Sequence, residues 1–279
     1  MGPLVGKVAV VTGASRGVGR GVALGLGEAG ATVYITGRSV RGESAVGGVT
    51  ANIHDTADEV TQLGGVGVPI RCDHRDDAKV ESLFRRVADE QGRLDLLVNS
   101  AWGGYENMVE AGEFTWDRPF WDQPPWRWDA MFTAGVRACY VASQFAVKIM
   151  LGQRSGLIVA MSHWSGQKYA GNVAYGVAKA ATDRMVADFA QELRPHGIAA
   201  VSLYPGLVRT ERVLQFAQYL DLSNSESPHF VGRAIAALAI DPHIVERSGQ
   251  VLVAATLAEG YGFTDVDGRQ PRPLTLDEA

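Results

Sequence analysis

The sequence predicts an α/β fold, a doubly wound parallel sheet of about seven strands in a single domain. Short β-branched runs alternate with amphipathic, alanine-rich stretches. The strand runs are apolar on both faces, which suits a parallel sheet covered by helices on each side. No linker rich in Pro, Gly or Ser and no internal repeat divides the 279 residues, a length ordinary for one domain.

The first strand, Lys7–Thr12, runs into Thr12-Gly13-Ala14-Ser15-Arg16-Gly17-Val18-Gly19, and a helical pattern follows at residues 18–29. Strand, glycine loop and helix in that order bring backbone amides to the N-terminus of the helix, where a pyrophosphate binds. This is the opening of a Rossmann-type dinucleotide fold. The second strand, Ala31–Thr36, leads into Gly37-Arg38-Ser39. A fold that prefers NAD places a carboxylate there for the ribose 2′-hydroxyl. Gly37 stands in that place, so no negative charge repels a 2′-phosphate, and Arg16 and Arg38 are able to clamp one.

Residues 39–52, polar and glycine-rich, read as a mobile loop, followed by a helix at 53–63, the strand Gly67–Arg71 and a helix at 77–91. The fourth strand, Leu94–Asn99, precedes an aromatic insertion at 102–128 that holds Trp102, Trp116, Trp121, Trp126 and Trp128. Pro119, Pro124 and Pro125 keep that insertion from being one helix. Its place after the carboxyl end of a strand suits a substrate lid, and the plainer reading is a cap on the core or a subunit contact.

A helix at 127–151 leads to the fifth strand, Gly156–Met161, with Ser162 at its end. The helix at 174–195 carries Tyr175 and Lys179 four residues apart, on one face. A nearby ammonium favours the phenolate, and the protonated phenol is able to deliver a proton to a carbonyl oxygen. A hydroxyl near it would hold the substrate oxygen, with Ser162, Ser165 and His163 as candidates by proximity. The strand Ile198–Tyr204, a helix at 228–240, the strand Val251–Ala254 and a tail at 256–279 complete the chain.

Taken in order, these motifs resemble the short-chain dehydrogenase/reductase family from Lys7 to about Ala255. The glycine loop matches that family's TGxxxGxG, Tyr175–Lys179 its YxxxK, and Ser162, thirteen residues before the tyrosine, its serine. The resemblance implies a catalytic set of Ser162, Tyr175 and Lys179, with Lys179 also holding the nicotinamide ribose. It implies NADP(H) in preference to NAD(H) from Arg16 and Arg38, and an adenine contact at Asp73. Leu97-Val98-Asn99-Ser100-Ala101-Trp102 is similar to the family's NNAG with departures at Ser100 and Trp102, and it makes Asn99 a cofactor-site residue. Pro205, Gly206, Val208 and Thr210 resemble the PGxxxT that binds the nicotinamide carboxamide. A catalytic Asn of many members falls here on Gly135, which leaves only a main-chain carbonyl for a proton relay. A narrower branch of the family shares the aromatic residue after Asn-x-Ala and a tail similar to Tyr261–Arg269.

The resemblance therefore implies hydride transfer between a nicotinamide and a carbonyl or alcohol, on a bulky apolar substrate given the tryptophans. The alternative is a non-catalytic NADP-binding sensor on the same fold. An enoyl reductase would place its tyrosine seven residues before the lysine, where Asn172 stands, and a halohydrin lyase would lack the glycine loop. Apolar surplus on the helices at 127–151 and 174–195 predicts a homodimer or homotetramer, as is common in the family.

Composition narrows the rest. A net charge of −5 argues against a nucleic-acid partner, and 46% hydrophobic content against disorder. The longest apolar stretch, Tyr140–Leu151, is broken by Gln144 and Lys148 and is no membrane span. Cys72 and Cys139 lie far apart and suit a reduced, cytoplasmic protein with no leader segment. The six histidines lack metal-ligand spacing, and Asp265 and Asp267 read as a solvated acidic turn. Glycine, at 33 residues, is in marked excess.

Overall fold

The computed structural model describes residues 2–43, 51–106, 108–110 and 113–278. Nine strands lie among them: β1 Val8–Val11, β2 Thr32–Gly37, β3 Val66–Arg71, β4 Leu96–Asn99, β5 Val109–Glu110, β6 Glu113–Phe114, β7 Gly156–Met161, β8 Ile198–Tyr204 and β9 Val251–Val253. Seven of them form one parallel sheet in the order β3-β2-β1-β4-β7-β8-β9, and β5 and β6 form a small antiparallel hairpin. The helices are α1 Gly17–Glu28, α2 Ile53–Gln62, α3 Asp77–Gln91, α4 Pro125–Met131, α5 Ala138–Gln153, α6 Val173–Leu193, α7 Glu211–Gln215, α8 Pro228–Ile240 and α9 Ala254–Tyr261. The sheet and its order agree with the doubly wound fold expected from the strand pattern.

Alternation along each strand feeds two cores. Val8 and Val10 of β1 face the layer of α3, α5 and α6, where they meet Phe84, Val87, Ala142 and Val186. Ala9 and Val11 face the layer of α1, α2 and α8, where they meet Val22, Leu26, Val60 and Phe230. Strand order reverses between β1 and β4, so the crevice for a ligand opens at their carboxyl ends. The glycine excess has its cause in this packing as well as in the loops. A Cβ at Gly21 would lie 2.1 Å from the Pro228 carbonyl carbon, and one at Gly25 would lie 2.5 Å from that of Gly232. Glycines thus let α1 and α8 touch backbone to backbone.

The structure corrects several expectations. The single helix expected at 127–151 is two, α4 and α5, joined by a wide π turn at Phe132–Arg137. Proline at the first helical position of α4 sets its start two residues earlier. Short helix α7 and the hairpin β5–β6 lack a periodic pattern long enough to be read, and α9 occupies part of the segment expected to be a tail. Within the loop expected at 39–52, residues 44–50 lie outside the described residues. Arg41, in the described part of that loop, pairs with Asp55 and Asp58 of α2. No helix among the described residues is long and apolar enough to cross a membrane.

Replacing Gly232 with Ala tests the close helix contact, because its Cβ would lie 2.5 Å from the Gly21 carbonyl oxygen, which cannot move aside. The expected loss is about 1–3 kcal/mol, read as a lower urea midpoint at unchanged slope. An unchanged midpoint would mean that α1 and α8 do not meet there.

Candidate active site

One cavity of about 1020 Å³ lies over the carboxyl ends of the strands. Its wall runs from the glycine loop through Arg38 and Asp73 to Ser162, Tyr175 and Lys179, and on to Pro205, Gly206, Val208 and Thr210. That size is at the upper end for small-molecule sites. The structure thus brings together the sequence-predicted residues Gly13, Ser15, Arg16, Gly17, Val18 and Gly19 with the catalytic candidates. It separates one from them. Asn99 lies outside the wall, buried beneath it, with its Nδ2 donating to Ser143 Oγ at 3.1 Å. Ser100 and Ala101 take its place in the lining because their amides turn to Thr12 Oγ1, each at 3.0 Å.

The glycine loop is shaped for an anion. Gly13 and Gly17 adopt φ of +66° and +58°, conformations that favour glycine. The Gly17 amide, at the N-terminus of α1, donates to Glu211 Oε2 at 2.9 Å. A carboxylate therefore already occupies a backbone donor suited to a phosphate oxygen. At the end of β2, the Arg38 guanidinium donates to Glu106 Oε1 at 3.3 Å, and the Gly104 amide holds the other oxygen of Glu106 at 2.7 Å. Asp73, expected to face adenine, lines the cavity with its carboxylate taken by Arg75, whose Nη2 donates at 2.6 Å. That pairing holds the Asp73 pKa down at about 2.

Asn172 caps α6 and sets its first turn. Its Oδ1 accepts from the Tyr175 amide at 3.0 Å, while its Nδ2 donates to the Trp116 carbonyl at 2.8 Å. The same side chain thereby fixes Tyr175 and ties the aromatic insertion to it. Tyr175 sits in a cage of Trp102, Tyr105, Trp116 and His163, with ring centroids 5.4–6.0 Å from its own. Lys179 is only 7% exposed, its ammonium donating to the Met161 carbonyl at 3.0 Å and lying 3.8 Å from the centre of the Trp102 ring.

The electrostatics depart from the expectation that Lys179 lowers the phenol's pKa. Burial instead raises the Tyr175 pKa well above its usual value, and the neighbouring Tyr105 hydroxyl adds to the rise. Burial also brings Lys179 down to about 8. Desolvation disfavours both charged forms, so the phenol rises and the ammonium falls, and two groups of similar ordinary pKa are driven apart.

Of the candidates near the phenol, Ser162 and His163 line the cavity and Ser165 does not. The Ser162 hydroxyl donates a long bond, 3.4 Å, to the Lys179 carbonyl. Sequence alone supplied His163 with no orienting partner, but the Ser165 amide donates to its Nδ1 at 3.0 Å. Burial lowers His163 to about 4, so the ring is neutral and carries its proton on Nε2.

Two departures from the family pattern prove to be one feature. A Cβ at Gly135 would lie 2.6 Å from Cζ3 of Trp102, so the absence of a side chain at 135 makes room for the indole. Of the five tryptophans in the insertion, Trp102 and Trp116 line the cavity, whereas Trp121 is exposed. Buried Arg127 braces the insertion from within, donating to the Thr115 carbonyl at 2.8 Å and to Thr115 Oγ1 at 2.7 Å. On the opposite rim, the Arg212 guanidinium donates to the Tyr105 carbonyl and so joins α7 to the insertion.

Of the acidic turn expected to be solvated, Asp267 is exposed but Asp265 is buried. Its carboxylate accepts from the Ser227 amide at 2.8 Å and pairs with Arg209 at 2.9 Å, which anchors the Pro205–Thr210 loop to the tail. Glu226, buried beneath Gly206, is raised to about 8 by its desolvation. The sequence offered Asp265 only as part of an acidic turn and did not single out Glu226, because the partners of Asp265, Ser227 and Arg209, lie tens of residues away.

Comparison with known proteins places these features in a family. A sequence model described as short chain dehydrogenase matches residues 7–219. Dehydrogenase/reductase SDR family member 1 of Mus musculus is 44% identical over 96% of this chain and 85% of its own. Cyclohexanol dehydrogenase of Rhodococcus sp. (strain TK6) is 30% identical over 76% of this chain and 77% of its own. The crystal structure of a short-chain type dehydrogenase/reductase from Mycobacterium marinum superposes with a TM-score of 0.73 at 28% identity, covering 90% of this chain and 94% of that one.

A double-mutant cycle tests the Trp102–Gly135 fit. Gly135→Asn alone is expected to cost about 1–3 kcal/mol through overpacking, and less when Trp102→Gly has emptied the space. Costs that simply add would show that the two positions do not share a site.

Proposed function

The chain belongs to the short-chain dehydrogenase/reductase family, and from that premise we propose an NADP(H)-dependent oxidoreductase that interconverts a bulky apolar carbonyl compound and its alcohol. The observation that carries this reading is the single cavity shared by the glycine loop, Arg16 and Arg38 at one end and Ser162, Tyr175 and Lys179 at the other. The residues fit a dinucleotide, since the Gly17 amide already holds an anionic oxygen. The loop amides would hold the pyrophosphate, Arg16 and Arg38 the 2′-phosphate, Val208 and Thr210 the carboxamide, and Lys179 the ribose. When bound, the nicotinamide supplies or accepts the hydride.

The side chains supply the proton chemistry. Tyr175 keeps its proton at neutral pH because burial opposes the phenolate, which suits it to donate to a carbonyl oxygen. Lys179, with its nitrogen 5.6 Å from the centre of that ring, stabilises the phenolate formed as the proton leaves. Ser162 and neutral His163 stand in the same wall as hydrogen-bonding groups for the substrate oxygen. Trp102, Tyr105 and Trp116 supply an apolar wall, and the name of the Rhodococcus relative, a cyclohexanol dehydrogenase, is in keeping with an alicyclic or similarly apolar alcohol. Exposed Tyr140 on α5 and Val177 on α6 support self-association into a homodimer or homotetramer. Free, buried Cys72 and Cys139 are compatible with a reducing, cytoplasmic setting.

Replacement of Tyr175 by Phe should reduce turnover of ketones, quinones and aldehydes by about 10²–10⁴-fold, the usual range for a general acid, with NADPH binding retained. Unchanged turnover in that variant would refute the assignment, and a wild-type protein that binds NADPH but reduces no carbonyl on a wide panel would be a sensor. The pH dependence follows from Lys179. Its charge is present below about pH 8 and lost above, so reductive kcat should fall as pH rises through that value. A flat profile up to pH 10 would remove Lys179 from the mechanism.

A further inference from the structure

Three arginines face the adenosine end of the cavity: Arg16 from the glycine loop, Arg38 after β2 and Arg75 after β3. Arg75 is committed to Asp73 through a bidentate pair. Arg38 is held by Glu106, a carboxylate that comes from the aromatic insertion rather than from the dinucleotide motifs. Arg16 lies within electrostatic reach of Glu106, Arg38, Glu211 and Arg212. The Arg38–Glu106 pair is partly exposed, so its own stabilisation is small and another anion displaces it readily. Glu106 is nevertheless kept in place, because the Gly104 amide holds its second oxygen at 2.7 Å.

We infer that Glu106 is a specificity-determining residue of the cofactor site, an internal anion that competes with the 2′-phosphate for Arg38. The inference rests on the NADP(H) reading and deepens it. A ligand with a 2′-phosphate must take over the guanidinium from Glu106 and meets its negative charge as it does so. A ligand with a bare 2′-hydroxyl leaves the pair undisturbed. Glu106 therefore narrows the preference for NADP(H) that the two arginines create. The structure contains its own control in Glu211, whose carboxylate sits on the Gly17 amide at the pyrophosphate end. Both cofactors carry a pyrophosphate, so Glu211 opposes both alike.

The test measures dissociation constants of NADPH, NADH and 2′,5′-ADP by tryptophan fluorescence for the wild type and for Glu106→Gln, Glu211→Gln and Arg38→Ala. Glutamine keeps the size of the side chain and an acceptor for the Gly104 amide. Glu106→Gln should bind NADPH and 2′,5′-ADP about five- to tenfold more tightly, with NADH unchanged, as expected for one like charge removed near a surface phosphate. Glu211→Gln should tighten NADPH and NADH by the same factor. If Glu106→Gln leaves NADPH unchanged, weakens it, or tightens NADH equally, the inference is overturned. Arg38→Ala separates this from the underlying reading. Weakened NADPH binding in that variant, with no effect of Glu106→Gln, would retain the NADP(H) assignment and reject only the role of Glu106. No weakening there would reject both.

Discussion

A lysine ammonium cut off from water is the constraint on which the candidate site depends. Lys179 has one carbonyl acceptor, from Met161, and the face of one indole, from Trp102. A cation over an indole is worth about 2 kcal/mol or more once desolvated, so the ring is a real partner for the charge. The ring reaches that position only because Gly135 presents no side chain, and Gly135 lies in the π turn between α4 and α5. Wide turns of this kind occur often at functional sites. The lysine, the tryptophan, the glycine and the turn thus form a chain of dependence, in which the loss of one leaves the next without its partner.

The two rims of the cavity are joined by charged side chains rather than by apolar packing alone. Glu211 reaches the glycine loop, Arg212 beside it reaches the Tyr105 carbonyl, and Glu106 next to Tyr105 reaches Arg38. The contacts form a belt across the crevice, and each carboxylate in it sits on a donor, the Gly17 amide or the Arg38 guanidinium, that an anionic ligand would also seek. Behind the belt, the Asp265–Arg209 pair is of another kind. Asp265 is buried and accepts from Ser227 as well, so removing it would leave two donors of Ser227 unmatched and Arg209 with only Ser225 and the more distant Asp267. The belt is built to exchange partners, and the brace behind it is not.

Much of this was legible in the residues taken alone. Strands buried on both faces carry continuous β-branched runs, so all seven strands of the sheet were found, with errors of a residue or two at their ends. The glycine loop and the Tyr175–Lys179 spacing are local, and their meaning does not depend on distant contacts. What could not be read is what depends on distance. Trp102 and Gly135 appeared as two unrelated departures, and only the fold shows one filling the space left by the other. Asn172, noted only for what it was not, proved to be the cap that fixes Tyr175. Asn99 bonds behind the wall to Ser143, a partner 44 residues away.

The sign of the pKa displacements bears on chemistry more directly than the identity of the side chains does. Had Lys179 reached the Tyr175 hydroxyl without other ties, its charge would have favoured the phenolate, and the pair would stand ready as a base. Burial reverses that balance, because it weakens the ammonium and protects the phenol at once. Neutral His163 and the rings of Trp102, Tyr105 and Trp116 add no charge that would redress it. Such a cage opposes a charge of either sign at the reacting atoms. It suits an uncharged carbonyl that becomes an uncharged alcohol, with a phenolate formed only for as long as the proton is away.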